Sequence, residues 1–178
     1  MKRSPGHVLV REARRSEYPL VARLWRAMRD ELNATPAGLR PDWIARFADY
    51  HVRRAAAGES QLFVAEIDKL VVGTSTGLLL DGYPIVLFER PATGYIYGVY
   101  VLPGYRRRGI ARELTNACVE WLRSAGCAVI RLRTSTQGRQ LYESLGFVAG
   151  EEMELRISGS SEVDCPGRGS EVGRGAES

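Results

Sequence analysis

The chain has 178 residues, of which 44% are hydrophobic and 26% are charged, and its formal net charge at pH 7 is +4. This length and composition fit one globular domain, and the lack of any run of about 18 apolar residues excludes a predicted membrane-spanning helix. The positive charge permits an anionic ligand, but it is too small to indicate nucleic-acid binding on its own.

The first part of the chain predicts one strand followed by two helices. Val8 to Val10 is a short apolar run typical of a strand. A helical pattern follows Ser16, and a second one begins near Pro41 and Asp42 and ends at Gly58. Apolar residues recur at three- and four-residue spacing in both helices: Tyr18, Val21, Leu24, Trp25, Met28 and Leu32 in the first, and Trp43, Ile44, Phe47, Tyr50 and His51 in the second.

The next part predicts a hairpin and a loop. Gln61 to Ile67 and Leu70 to Leu80 have the composition of paired strands, joined by a tight turn at Asp68 and Lys69. Residues 81–91 contain a glycine and two prolines, so we expect a loop there.

A strand–helix–strand unit follows. Tyr95 to Val101 predicts a strand, and Gly98 within it indicates a bulge or a close approach of a ligand to the backbone. Gly109 to about Ser124 predicts a helix, and Ala128 to Leu132 predicts another strand. Such a unit is a right-handed crossover between parallel strands. The apolar side of the helix consists of Ile110, Leu114, Ala117, Cys118, Trp121 and Leu122.

The last part predicts a short helix, a closing hairpin and a tail. The helix runs from Gln137 to Leu145, and the hairpin strands are Phe147–Val148 and Glu152 to Ile157. From Ser158 to Ser178 the chain is rich in glycine and serine and has no aromatic residue, which is typical of a disordered tail. We therefore expect one domain over residues 1–157 and a tail over 158–178.

Cysteine and histidine usage argues against disulfides and metals. The three cysteines, Cys118, Cys127 and Cys165, form no C-x-x-C pair, and Cys118 falls on the apolar side of its helix, where core packing is expected. His7 and His51 have no metal-ligand partner, so we expect them to be ordinary surface or helix residues and predict no metal site. The start M-K-R-S-P-G-H lacks a following apolar run, which argues against a secretory signal and favours a cytoplasmic protein.

The stretch from Val99 to Arg112, V-Y-V-L-P-G-Y-R-R-R-G-I-A-R, combines a strand, a basic turn and a helix start. Unpaired backbone N–H groups and the positive end of the helix dipole suit an anion at such a turn. The simpler interpretation is an arginine-rich surface turn. Neither a Walker loop nor a G-x-G-x-x-G dinucleotide fingerprint is present in the sequence.

Two motifs resemble those of the GCN5-related N-acetyltransferase superfamily. Residues 106–111, R-R-R-G-I-A, match the family's coenzyme A motif, and residues 141–147, L-Y-E-S-L-G-F, match its second motif. The resemblance covers roughly Val8 to Ile157. It implies an α/β (α+β) fold with a mixed, mostly antiparallel central sheet, a parallel pair of strands splayed at the cofactor site, and flanking helices.

The resemblance also implies the reaction and the cofactor site. A family member transfers an acetyl group from acetyl-CoA to a primary amine of a small molecule or a protein by direct attack. The amides of residues 107–112 would hold the pyrophosphate, and Val99 and Val101 would pair with the pantetheine arm. Ser135 stands where the family often has an asparagine. The implied cofactor residues are Val99, Tyr100, Val101, Arg106, Arg107, Arg108, Gly109, Ile110, Ala111, Arg112 and Ser135.

Tyr142 stands at the family's motif tyrosine and would protonate the departing thiolate, unless it only packs in the core. Some members have a glutamate at the start of the fourth strand, but Tyr95 to Val101 holds no carboxylate, so the base is not evident. On the acceptor side, Glu31, Tyr97 and Arg139 are candidates for contact with the substrate. Residues 18–56 would form one wall of the acceptor site.

Two other functions remain open from the sequence. The missing carboxylate motivates a non-catalytic acyl-coenzyme A sensor on the same fold. A nucleic-acid-binding module rests only on the basic pI and the run from Arg106 to Arg108. We expect acetyl-CoA and an amine as partners, neither nucleic acid nor a membrane, and a possible homodimer.

Overall fold

The structure is a computed structural model, and it describes residues 7–34, 38–80 and 93–150. The strands in it are β1 (Leu9–Glu12), β2 (Ser60–Ile67), β3 (Leu70–Leu80), β4 (Thr93–Val101) and β5 (Val129–Leu132). The helices are α1 (Tyr18–Glu31), α2 (Trp43–Ala56), α3 (Ile110–Ser124) and α4 (Arg139–Glu143), with 3-10 turns at Arg15–Glu17 and Pro103–Tyr105.

The five strands form one sheet in the order β1-β2-β3-β4-β5. The first three pairings are antiparallel, and β4 pairs with β5 in parallel. The expected mixed sheet with one parallel pair is therefore confirmed. The predicted hairpin turn is confirmed as well, because Asp68 and Lys69 both have positive φ, as the two central residues of a type I′ turn do.

Helices cover both faces of the sheet. Alternate residues of β2 point to opposite faces, and both sets are buried. Leu62 and Val64 pack with Tyr18 of α1, whereas Phe63 and Ala65 pack in the cluster of α3. The α3 cluster includes Ile110, Leu114, Cys118 and Leu122, as the helical periodicity predicted.

Cys118 has the predicted core role. Its side chain is fully buried, and its thiol donates a hydrogen bond to Ser75 Oγ over 3.2 Å. Burial raises the pKa of this thiol to about 12, so it stays protonated and unreactive at neutral pH. Cys127 is a free, half-buried thiol, and Cys165 lies outside the described residues.

The prediction of a strand at Phe147–Val148 is wrong. Residues 147–150 have no regular secondary structure, and Val148 is 89% exposed. The Phe147 N–H instead donates to the Tyr142 carbonyl, which closes α4 after Gly146 has turned into the left-handed region. The expected partner strand at 152–157, the tail at 158–178 and the loop at 81–91 lie outside the described residues.

The short helix α4 begins two residues later than expected and ends two residues earlier. Before α4, the Gly138 N–H donates to both the carbonyl and the hydroxyl of Ser135. Residues 135–138 therefore form a separate reverse turn and do not belong to the helix. Within the described residues, no helix is both long and apolar enough to cross a membrane.

Candidate active site

The pairing between β4 and β5 stops halfway along β4. It joins Thr93 to Val129 and ends where Ile96 meets Leu132, while β4 continues to Val101. On its other side, β4 pairs with β3, and two residues of β4 there oppose the single residue Ser75. The sheet therefore has a notch beyond Ile96, next to a distortion of β4.

The distortion is the bulge that the sequence predicted at Gly98. Thr76 pairs with Tyr97 and Thr74 with Tyr100, so Gly98 and Val99 are the doubled residues. Gly98 has φ of 60°, a conformation that residues with a side chain rarely adopt. Strand β4 thus turns at the point where β5 has ended.

The free edge of β4 exposes backbone groups to the notch. The Leu102 N–H donates to the Val72 carbonyl on the β3 side, so the peptide groups of Val101 point the other way. Arg106 Nε reaches Val101 O from that side, over 2.8 Å. Among the residues that the structure describes, no strand pairs with this part of β4 on the β5 side, where the sequence predicted contact with an extended ligand, and Val101 O is held by Arg106 instead.

The basic turn that follows β4 has the backbone shape of an anion site. Arg107 has φ of 62° and Gly109 has φ of 80°, on either side of Arg108, whose φ is not positive. Residues that alternate in this way direct successive N–H groups into one concavity. The hydrogen bonds of α3 begin with Arg112 and Glu113, both to Gly109 O, so the amides of Ile110 and Ala111 precede them.

Space for an anion is present at this turn. A Cβ atom built on Gly109 would meet no atom within 4 Å. The N-terminus of α3, a helix of 15 residues, faces this space with the positive end of its dipole. The predicted residues 107–112 thus form a concave, positive and open surface.

The arginine side chains of the turn differ in their surroundings. Arg106 donates to Glu31 Oε2 over 2.7 Å and lies over the Tyr100 ring at 5.4 Å. Arg108 lies over the Tyr105 ring at 5.5 Å. Arg112 donates to Ser144 Oγ over 2.7 Å, which ties α3 to the end of α4. The guanidinium of Arg106 is thus engaged by Glu31 and Tyr100 of the protein itself.

Glu31, expected near the acceptor, is held by two donors. The Tyr100 hydroxyl donates to its Oε1 over 2.5 Å, and Arg106 donates to its Oε2. Burial opposes ionisation of Glu31, but the hydrogen bonds from Tyr100 and Arg106 outweigh it and lower the pKa of the carboxyl. At neutral pH Glu31 is therefore an ionised partner of Arg106 and a poor proton acceptor.

A pocket of about 590 Å³ lies between the two helices α1 and α2 and the strands β3 and β4. One wall is aromatic: the Trp25 ring is 6.2 Å from the Trp43 ring and 6.4 Å from the Phe47 ring. Trp25 Cδ1 would be 3.7 Å from a Cβ on Gly98, so this wall reaches the bulge. The pocket is lined by Val21, Trp25, Gly38, Leu39, Arg40, Trp43, Arg46, Phe47, Tyr50, His51, Thr74, Thr76, Leu78, Tyr97 and Gly98.

His51 lines this pocket, which sequence reasoning missed. It is only 5% exposed, its Nδ1 lies 3.0 Å from Ser60 Oγ, and its ring is 4.5 Å from the Phe47 ring. Burial, with a smaller contribution from the charge of Arg54, lowers the pKa of His51 to about 4. The imidazole is neutral at pH 7. The sequence feature that could have predicted its burial is its helical spacing with Phe47 and the other apolar residues of α2.

The two tyrosines that the sequence assigned to the site, Tyr142 and Tyr97, have different surroundings in the structure. Tyr142 is half-buried against the Phe147 ring at 6.0 Å, and burial, together with the nearby Cys118 thiol, raises the pKa of its phenol to about 12. Tyr97 is 43% exposed, lines the pocket and stacks on Tyr95 at 4.2 Å.

Two predicted residues have local roles in the structure. The Ser135 hydroxyl accepts from the Gly138 N–H over 3.3 Å, at the turn before α4. Arg139 is exposed on α4 and forms an ion pair of 4.0 Å with Glu143. Among the residues that the structure describes, no cluster of histidine, cysteine, aspartate and glutamate side chains could hold a metal ion.

The chain matches the family model described as "Acetyltransferase (GNAT) family" over residues 23–147. It is 27% identical to the aminoglycoside N(6')-acetyltransferase type 1 of Salmonella typhimurium over 139 residues, which are 72% of this chain and 86% of that one. It is 32% identical to the glucosamine 6-phosphate N-acetyltransferase of Trypanosoma brucei brucei over 114 residues, or 64% and 74% of the two chains.

A solved structure shares the fold. It is that of a predicted acetyltransferase from Clostridium acetobutylicum, with acetyl-CoA. The TM-score is 0.71 at 22% identity, and the match covers 84% of this chain and 96% of that one.

Proposed function

The chain belongs to the acetyltransferase (GNAT) family and is an acetyl-CoA-dependent N-acetyltransferase, and we propose that its site has two halves that meet at Gly98. The donor half consists of the β4 edge and the basic turn. The acceptor half is the aromatic pocket between α1 and α2. The observation that carries this division is that Gly98 of the bulge lines the aromatic pocket together with Trp25, whose Cδ1 would be 3.7 Å from a Cβ at Gly98.

The donor half would hold coenzyme A mainly through backbone groups. The amides of Ile110 and Ala111, with the open space at Gly109, suit the pyrophosphate. Among the described residues, no strand pairs with β4 beyond Ile96 on the β5 side, so the backbone there suits the amides of the pantetheine arm, which would pair with it as an added strand does. At Val101 the carbonyl accepts from Arg106 Nε, so this bond would have to give way to the arm. Bound acetyl-CoA supplies the thioester that the amine attacks.

The remaining predicted cofactor residues would act around this backbone frame. Val99 would pair with the pantetheine arm at the bulge, and the exposed Arg107 and Arg108 would add positive charge near the phosphates. Tyr100 and Arg106 would shape the donor half through their bonds to Glu31. Contacts of Ser135 and Arg139 with the substrates remain predictions from the family resemblance.

Tyr142 is the residue that we propose as proton donor. Its phenol is protonated at neutral pH and so has a proton to give to a departing thiolate, while the burial that raises its pKa to about 12 makes it a weaker acid than an exposed tyrosine. A backbone N–H of the bulged strand would stabilise the negative charge that develops on the acetyl oxygen.

The acceptor half must take up the amine in its free-base form. For an amine with a lysine-like pKa of about 10.4, removing the proton at pH 7 costs roughly 4.6 kcal/mol. An apolar wall disfavours the ammonium ion and lowers the pKa of a bound amine. Among the described residues that line the pocket there is no carboxylate to oppose this effect. The pocket would therefore reduce the cost of deprotonation without a carboxylate base.

The alternative of a non-catalytic sensor has no support from the curated relatives named above, which are N-acetyltransferases. We further propose that the domain spans residues 1–157, with a separate tail after it, and that the protein acts in the cytoplasm, where Cys118 and Cys127 stay reduced. The proposal includes neither nucleic acid nor a membrane among its partners and allows a homodimer.

The experiment that tests the two halves is Trp43→Ala, since Trp43 lines the pocket and lies outside both hydrophobic core clusters. We expect kcat/KM for the amine to fall about tenfold, while the Kd of acetyl-CoA changes less than about twofold. Steady-state kinetics and calorimetry measure the two quantities. An equal loss in acetyl-CoA affinity would contradict the division into halves.

A further inference from the structure

The side chains that line the acceptor pocket restrict the chemistry of the amine, provided that this pocket is the acceptor half proposed above. Rings of Trp43, Trp25 and Phe47 lie in sequence at 6.2 and 6.4 Å, and Phe47 continues to His51 at 4.5 Å. Flat rings arranged in this way bind a flat apolar body by stacking and edge contacts. The volume of about 590 Å³ is typical of pockets for small molecules.

Charged residues occur in the lining only as arginines, among the residues that the structure describes. Arg40 and Arg46 line the pocket, and Asp42 pairs with both, at 3.5 and 2.7 Å. Asp42 offsets part of this charge but does not line the pocket, and both charged side chains that do line it are positive. A polycationic amine would be repelled there, whereas an anionic group would be attracted.

The two ends of the pocket differ in their exposure to solvent. Arg40 and Arg46 have side chains that are 70% and 60% exposed, so they mark the mouth. Gly98 is half-buried and lines the pocket at the β4 bulge, where a Cβ would be 3.7 Å from Trp25 Cδ1, so we take it as the inner end. An acceptor that lies along the aromatic wall would therefore present one end to the arginines and the other to the acetyl group.

We propose that the acceptor is a monoamine with a flat aromatic body whose far end carries an anionic group. The body lies against Trp25 and Trp43, the anion faces Arg40 and Arg46, and the amine reaches the bulge at Gly98. This chemistry differs from that of an aminoglycoside, which carries several positive charges and no flat apolar body. The neutral His51 offers a hydrogen-bonding ring in the wall without attracting a cation.

The test compares three amines with the full chain and acetyl-CoA, by release of free thiol. The probes are 4-(2-aminoethyl)benzoate, 2-phenylethylamine and neamine. We expect kcat/KM to fall in that order, with the benzoate about fivefold above phenylethylamine. Equal or higher kcat/KM for phenylethylamine or neamine overturns the proposal. If none of the three amines releases thiol but another amine of a wider panel does, the proposal is also overturned. If no amine of the panel releases thiol, the result instead contradicts acetyl transfer by this site.

A matched pair of variants tests the role of the arginines. Arg46→Met should lower the ratio of kcat/KM for the benzoate over phenylethylamine about fivefold. Arg53→Met removes the same charge from the same helix, but Arg53 does not line the pocket, so the ratio should stay as in the parent protein. An unchanged ratio in Arg46→Met, or an equal fall in both variants, overturns the proposal.

Discussion

The basic turn and the aromatic pocket are built in opposite ways. The turn presents backbone amides around Gly109, where a side chain would occupy the open space. The pocket is made of side chains from α1, α2, β3 and β4. A site of backbone groups needs one short stretch with particular φ values, whereas a site of side chains can change with each substitution. The first suits a donor common to a family, and the second suits an acceptor of this chain.

The largest effect should come from a charge placed in the turn. Gly109→Asp puts a carboxylate where the pyrophosphate is expected, and we predict that the Kd of coenzyme A rises about 100-fold, or roughly 3 kcal/mol. Gly109→Asn is the matched control, since both residues tolerate positive φ to a similar degree and differ in charge. Calorimetry measures the two values. Equal affinities of the two variants for coenzyme A would contradict the placement of the anion site at this turn.

The next largest effect concerns the pocket rather than the turn and comes from the titration of His51. His51 has its folded-state pKa lowered from 6.5 to about 4, so the unfolded chain binds the proton more tightly. Stability from this residue is complete above pH 6.5 and is lost as the pH falls toward 4. Between pH 7 and pH 4.5 we expect the free energy of unfolding to drop by about 2 kcal/mol.

Denaturant unfolding at the two pH values measures this drop, and His51→Gln is the variant that removes the titration. The Arg11 guanidinium lowers the pKa of the Glu17 carboxyl from 4.5 to about 2, so Glu17 loses most of its stabilising effect below pH 4.5 and accounts for only about 0.4 kcal/mol of the drop. A drop of the same size in His51→Gln would show that another group is responsible.

The smallest effect concerns the proton donor. Tyr142→Phe should lower kcat about tenfold while the Kd of acetyl-CoA changes less than about twofold, because the ring still packs on Phe147. Tyr18→Phe, which removes a hydroxyl from the core on the other face of the sheet, is the control and should keep kcat. If both variants keep kcat, Tyr142 is a packing residue only.

The same contrast explains how much the sequence predicts. The bulge at Gly98 and the start of α3 next to Gly109 follow from glycines, which adopt positive φ readily, and the turn at Asp68 and Lys69 follows from two polar residues between strand patterns. The structure has all three. The parallel pair of strands followed from the strand–helix–strand order, and the mixed sheet around it was implied by the resemblance to the family. These features depend on neighbours along the chain.

The features that could not be predicted depend on distant residues. Arg106 pairs with Glu31, which is 75 positions away, and periodicity carries no information about such a pair. His51 has the spacing of a core residue, and only the packing of α2 shows that it lines a pocket. Phe147 has strand propensity, but its N–H completes the end of α4. The position of the pocket therefore had to come from the structure, and the proposal for the acceptor depends on it.

The most direct test of the account is a crystal structure with coenzyme A joined through its sulfur to an arylalkylamine. We predict that the pyrophosphate accepts hydrogen bonds from the Ile110 and Ala111 amides, that the sulfur lies beside the β4 bulge, and that the aryl ring rests against Trp25. A pyrophosphate bound away from this turn, or an aryl ring outside the pocket, would contradict the claim that the two halves meet at Gly98.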